Sequence, residues 1–235
     1  MTLSPLAKLA ARAFASVARH ALLYAALVAA IVALYAVIIA RWHAPAADPF
    51  LAFTLEPMLD VVIVAVCIGD LRGERSARAL WSRVLDRAWA LLLVNLAGRF
   101  IDIFAFASLR GGIIDITTGI FLLVVLAVLV YAPVAVVIDD TTPWWALVGR
   151  AFGASIGATL GAPRFARALT LLALQFIPLL LGAALQALLA SHHVAHAAFW
   201  ANVPLGMILE PPLMALVAFA YFDAAGMTGD DACSE

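Results

Sequence analysis

Charge is what this chain has least of: Asp, Glu, Lys and Arg together make up 12% of its 235 residues. Cysteine is nearly absent, with only Cys67 and Cys233. There is no P-loop, GxSxG, CxxC or HExxH pattern, which removes the usual signatures of nucleotide, hydrolase, redox and zinc chemistry. The net charge of −1 and the lack of a basic block give no footing for nucleic acid. Against these gaps stand 66% hydrophobic residues and a mean hydropathy of +1.07, outside the range of soluble domains. The composition describes a chain that lives in a bilayer.

Six apolar runs are long enough to cross about 30 Å of hydrocarbon: Ala21–Ala40, Leu51–Ile68, Ala88–Leu109, Thr117–Val137, Ala168–Leu189 and Phe199–Phe222. They leave no length for a separate soluble domain, so residues 1–235 read as one membrane domain. Eleven of the fourteen basic residues lie before the first run, between the second and third, or between the fourth and fifth. Only Arg41 and Arg110 lie in the opposite loops. This bias predicts a multi-pass protein of the inner (cytoplasmic) membrane with both termini cytoplasmic. A signal-peptide reading of the first run, with Ala44-Pro45-Ala46 as cleavage site, is disfavoured because the run exceeds a 7–15-residue h-region. Cys67 and Cys233 then sit on or near the reducing side, and no disulfide is expected.

The runs are organised by an internal echo. Leu9-Ala-Ala-Arg12-Ala-Phe14, Leu80-Trp-Ser-Arg83-Val-Leu85 and Leu147-Val-Gly-Arg150-Ala-Phe152 each precede a pair of spans, at intervals of about 70 residues. The sequence therefore predicts an all-α integral membrane protein of six transmembrane helices. They form three pseudo-repeated hairpins (about 1–70, 71–140 and 141–223), each with an amphipathic interfacial lead-in helix, followed by a short acidic tail over 224–235. In the first lead-in Leu6, Leu9, Ala10, Phe14 and Val17 fall at helical spacing. Arg12, Arg83 and Arg150, with Trp81, Trp144 and Trp145, are the residues expected to contact lipid at headgroup depth.

A second echo lies inside the membrane, where Leu55-Glu56-Pro57-Met58-Leu59 matches Leu209-Glu210-Pro211-Pro212-Leu213. Counting about 1.5 Å per residue from Asp70, Asp223 and Arg87 puts Glu56, Glu210, Arg99 and Asp102 in one layer, about 20 Å from the basic side. Asp60 lies one turn from Glu56. Charges at that depth cost several kcal/mol each unless they face inward and pair, so Glu56, Asp60, Asp102 and Glu210 are expected around Arg99. Pro57, Pro211 and Pro212 lack amide hydrogens and are expected to break their helices there. His192, His193 and His196 form a weaker candidate, since His192 and His196 one turn apart could grip a metal, but no third ligand adjoins them and His43 is of unknown proximity. Gly153, Gly157 and Gly161 at four-residue spacing read as small-residue helix packing.

The stretch Tyr131-Ala-Pro133, Val136-Val-Ile-Asp139-Asp140 and Trp145-Ala-Leu147-Val-Gly-Arg150-Ala-Phe152, with Tyr221-Phe-Asp223 closing the last span, resembles a widespread six-helix membrane family. It includes the YciC-like inner-membrane proteins and the membrane domain fused to some glycerophosphodiester phosphodiesterases. The resemblance covers roughly Tyr131 to Asp223. This chain carries Ala151 where the family commonly has serine, and Asp230, Asp231 and Glu235 where it has basic residues. The resemblance implies a six-helix membrane fold and carries over no phosphodiesterase chemistry.

Three functions remain in view, none with a cofactor. The first is a non-enzymatic membrane-embedded scaffold or accessory subunit, in a hetero-oligomeric membrane complex. The second is a small transporter or ion- or proton-conducting protein that titrates Glu56, Asp60, Asp102 and Glu210 against Arg99. The third is a lipid-binding or lipid-remodelling protein that works through its basic interfacial helices. Membrane lipids are partners in all three.

Overall fold

The computed structural model describes residues 5–42, 47–73, 76–109, 113–139, 143–194 and 197–227, and among these every regular element is helical. The helices are α1 (Pro5–Arg19), α2 (Ala21–Trp42), α3 (Ala47–Arg72), α4 (Ala77–Leu109), α5 (Ile113–Leu129), α6 (Ala132–Ile138), α7 (Trp144–Thr159), α8 (Ala162–Gln175), α9 (Ile177–Ser191) and α10 (Ala197–Ala224). Five segments are long and apolar enough to cross a membrane: Ala21–Ile38, Arg78–Ala105, Asp115–Ile138, Ala162–Ser191 and Pro204–Ala224. They make this a membrane protein. The remaining predicted run, Leu51–Ile68, lies within α3, whose side chains are described only from Leu59 onward. Ala44, Pro45 and Ala46 lie outside the described residues, as do His43 and Cys233.

The core forms where α3 and α10 meet. Every residue from Leu59 to Ile68 is buried, and so is every residue from Met214 to Phe222. A helix that is apolar all round must be surrounded on all sides, and α2, α4 and α6 pack on α3, while α1, α2 and α9 pack on α10. Tyr35, Leu91, Tyr131, Leu147 and Met207 fill the spaces between them. The span Ala21–Ile38 is the least enclosed of the five and shows most of its surface outward. Residues of the family resemblance converge here: the rings of Tyr131 and Tyr221 stack at 5.7 Å with a 51° tilt.

The helix boundaries depart from the predicted pattern in ways that local chemistry explains. The second lead-in is not a separate helix, because α4 runs unbroken from Ala77 through the span. Residues 77–97 contain no glycine or proline to interrupt it, and its 33 residues reach about 50 Å. The first lead-in does end, at a turn on His20, and the third ends at Gly161, whose φ of +102° suits glycine, with Pro163 opening α8. The predicted breaks at Pro211 and Pro212 do not occur, since α10 continues through both and through Pro204. The backbone of α3 likewise stays helical across Pro57. Each of these prolines costs one amide donor without unwinding the turn. The spans break instead at Val130–Tyr131, before Pro133, and at Phe176, before Pro178.

In α1 the residues turned inward are Leu9, Ala13 and Ser16, one and two turns apart. Phe14 belongs to the outer surface at 62% exposure, contrary to the face assigned from sequence. The glycine stripe of α7 also faces outward. Gly153 and Gly157 are exposed, and a Cβ built on either meets nothing within 4 Å. The buried side of α7 is Leu147, Ala151, Ser155 and Ala158. Gly153→Ala and Gly157→Ala are therefore expected to keep the fold and to gain up to about 1 kcal/mol each from helix propensity. Thermal unfolding in detergent checks this, and a lowered midpoint would reinstate the packing role.

Candidate functional site

Among the described residues, the strongest concentration of polar groups lies where the α1–α2 elbow meets the end of α3 and the start of α4. Ser16, His20 and Tyr24 recur every four residues, so one face of the elbow carries all three. Opposite them α3 brings Asp70. Its Oδ2 accepts a hydrogen bond from Ser16 Oγ at 2.7 Å. Its Oδ1 lies 3.0 Å from His20 Nε2 and 3.0 Å from Arg19 Nη1. Burial alone would raise the Asp70 carboxyl above the ordinary carboxylate range, but the hydrogen bonds from His20 and Ser16 and the charges of His20 and Arg19 outweigh it and hold it below. The side chain of Asp70 is 15% exposed and that of Arg19 is 63% exposed. The acid is thus enclosed while its cation faces solvent.

This clasp borders a cavity of about 390 Å³. Its polar wall is Arg19, His20, Asp70, Ser76 and Arg83, and its apolar wall includes Leu23, Val66 and Leu80. Ser76 immediately precedes α4, and its Oγ accepts from the Ala79 amide at 3.4 Å, as an N-cap does. The positive end of a long helix dipole thus adjoins two arginines. A cavity with cations at one wall and aliphatic groups at the other is amphipathic in the way a phospholipid is.

Two more acid–base contacts repeat the theme at the ends of later segments. Arg150 Nη1 of α7 lies 3.7 Å from Asp139 Oδ2 just after α6, and Arg167 of α8 pairs with Asp223 near the end of α10. Asp70, Asp139 and Asp223 each follow a buried apolar run. The three echoing arginines have diverged in what they touch: Arg12 is exposed, Arg83 lines the cavity and Arg150 faces Asp139. Trp81 is half exposed on α4, and the side chains of Trp144 and Trp145 lie outside the described residues.

Of the predicted intramembrane cluster, the side chains of Glu56, Pro57, Arg99 and Asp102 lie outside the described residues. Asp60 is buried at 7% exposure, and its Oδ2 accepts from Asn95 Nδ2 at 3.1 Å. Asn95 is a residue that sequence reading passed over because an uncharged amide in an apolar run carries no charge signal. The pair ties α3 to α4. Glu210 is half-buried on α10 beside buried Pro211. His192 and His193 are exposed at the end of α9, and His196 lies outside the described residues. Among the described residues no three His, Cys, Asp or Glu side chains are grouped to hold a metal.

The fold and these sites define a polytopic all-helical membrane protein with an amphipathic cavity at one end of its central helix. Comparison with known proteins finds no matching family model, no matching curated protein and no matching solved structure.

Proposed function

We propose that this is a lipid-binding protein of the inner membrane, non-enzymatic, whose site is the cavity between the α1–α2 elbow and the start of α4. The single observation that supports it most is the pairing, in one cavity, of Arg19, His20 and Arg83 with Leu23, Val66 and Leu80. Arginine binds phosphate through a planar fork, and the aliphatic wall gives acyl methylenes a surface to cover. The distribution of basic residues in the sequence puts this cavity on the cytoplasmic leaflet, where the surface potential gathers anionic lipid.

Purification of the full chain in mild detergent, followed by organic extraction and lipid mass spectrometry, is expected to return about one phospholipid per chain. The Arg19→Ala/Arg83→Ala double variant is expected to lose most of it, since each charge-assisted contact is worth about 1.5–3 kcal/mol. Preparations in which a stoichiometric second protein, rather than a lipid, stays bound would replace this reading with that of an accessory subunit.

A further inference from the structure

The cavity is too small to hold the whole of a phospholipid. Its volume of about 390 Å³ is in the range of pockets that enclose a small molecule, so acyl chains attached to a bound headgroup run outside it. Their exit is set by how the helices meet. The cavity has Leu23 of α2 on one wall and Leu80 of α4 on another. Among the described residues α2 and α4 both pack on α3 but have at most slight contact with each other. A seam is left over α3. Two apolar residues of the buried run Leu59–Ile68 mark it: Val62 and Val66 keep 6% and 5% exposure where the other apolar residues keep 1% or less. They share a face one turn apart, and Val66 itself lines the cavity.

We infer that the bound phospholipid lays one acyl chain along this seam, on the face of α2 formed by Leu23, Leu27, Ile31 and Leu34, an inference that rests on the lipid-binding reading. These residues recur at spacings of four, four and three, which makes one stripe on a helix. Leu23, Leu27 and Ile31 are partly buried against the core, and Leu34 is 45% exposed. The stripe starts at the cavity wall and rises about 16 Å. That is the depth of one leaflet, half of about 30 Å of hydrocarbon. The α2 span is the least enclosed of the five, so the stripe opens to the bilayer. The seam exposes only slivers of two valines, enough for a chain of single methylenes and too narrow for a helix about 10 Å across. An apolar stripe gains nothing by exchanging one lipid tail for another. What fixes a particular chain there is its tether to a headgroup held at the cavity, which raises its effective concentration beside α2.

The test is photolabelling of the full-length protein in phosphatidylcholine vesicles doped with a phosphatidylglycerol that carries a diazirine midway along one chain, the adducts being mapped by peptide mass spectrometry. Labelling is expected to concentrate between Leu27 and Leu34, about tenfold above the outward residues Ile120 and Phe121 of α5, and to fall when unlabelled phosphatidylglycerol is added. Glycerol 3-phosphate, which has the phosphate and no chain, is expected to leave the bound lipid in place. Ile31→Trp puts an indole where the chain lies and should abolish the competable labelling, whereas Ala29→Trp, on the exposed side of the same helix, should preserve it. Thermal unfolding of each variant confirms that it is folded, and the wild-type map decides the question by itself if Ile31→Trp is not. Lipid retained on the purified protein, with labelling spread evenly over α2 and α5 or unchanged in folded Ile31→Trp, would overturn the acyl seat and leave lipid binding intact. No retained lipid on the wild type would overturn both. Displacement by glycerol 3-phosphate would make the ligand a soluble phosphoester and overturn both as well.

Discussion

Replacing Asp70 with alanine is expected to lower the unfolding free energy in detergent by about 2–3 kcal/mol and to loosen α1 from the end of α3. The residue is the common acceptor for three side chains of the elbow, so its loss strands Ser16, which is 3% exposed, and leaves His20 without its carboxylate. An unsatisfied buried hydroxyl costs about 1–3 kcal/mol. The Arg19 contact adds little, since that side chain is largely solvated and its pairing is screened. Asp70→Asn keeps an acceptor oxygen for one partner and is expected to show about half the loss. The pH dependence has a definite sign. The folded-state pKa of Asp70 is depressed, so its contribution is fully present above the ordinary carboxylate value of about 3.9 and is lost as pH falls through the lower folded value. Thermal unfolding of wild type and Asp70→Asn between neutral and acidic pH should therefore converge only below about pH 4. A constant gap at every pH would show that the clasp is not ionised.

The spans were legible because a bilayer imposes one rule, a sustained apolar run, and five of the described segments meet it at or near the predicted places. The interruptions were not. Pro57, Pro211 and Pro212 sit beside carboxylates and invited a reading of broken helices, yet α3 and α10 pass through them. Pro133 and Pro178 sit in plain apolar surroundings and coincide with the breaks. A proline's local effect depends on whether a neighbouring helix offers replacement partners for the freed backbone groups, which is long-range information. The clasp at Asp70 was hidden for the same reason. Its partner Ser16 is 54 residues away and carries no charge, and in sequence Asp70 served only as a depth marker. Asn95 was hidden in an apolar run. The glycines of α7 show the converse failure, because four-residue spacing identifies a face without saying what meets it. The repeat itself was readable as a pattern, but the equivalent arginines Arg12, Arg83 and Arg150 have acquired different surroundings.

The break before Pro133 leads to the second large effect, at Ser155. The interruption between α5 and α6 frees backbone groups within the span Asp115–Ile138, where no water is available to take them up. Ser155 of α7 is fully buried and meets both: its Oγ donates to the Val128 carbonyl at 2.7 Å and accepts from the Tyr131 amide at 3.2 Å. One hydroxyl thus satisfies a donor and an acceptor that α5 and α6 cannot satisfy themselves, and α6 resumes its own ladder with the Ala135 amide on the Tyr131 carbonyl at 3.0 Å. Ser155→Ala removes little volume but leaves two polar groups orphaned in apolar surroundings, and is expected to cost about 2–4 kcal/mol of unfolding free energy in detergent. Ser155→Val adds bulk at a site with no free space and should cost at least as much. Ser155→Thr retains the hydroxyl and should recover part of the loss. The discriminating measurement is hydrogen exchange at the Tyr131 amide. Protection should collapse in Ser155→Ala and return in Ser155→Thr, because the bond in question is a side-chain one from another helix. Unchanged protection in the alanine variant would mean that the break is satisfied from within its own helix, and that Ser155 is a packing residue.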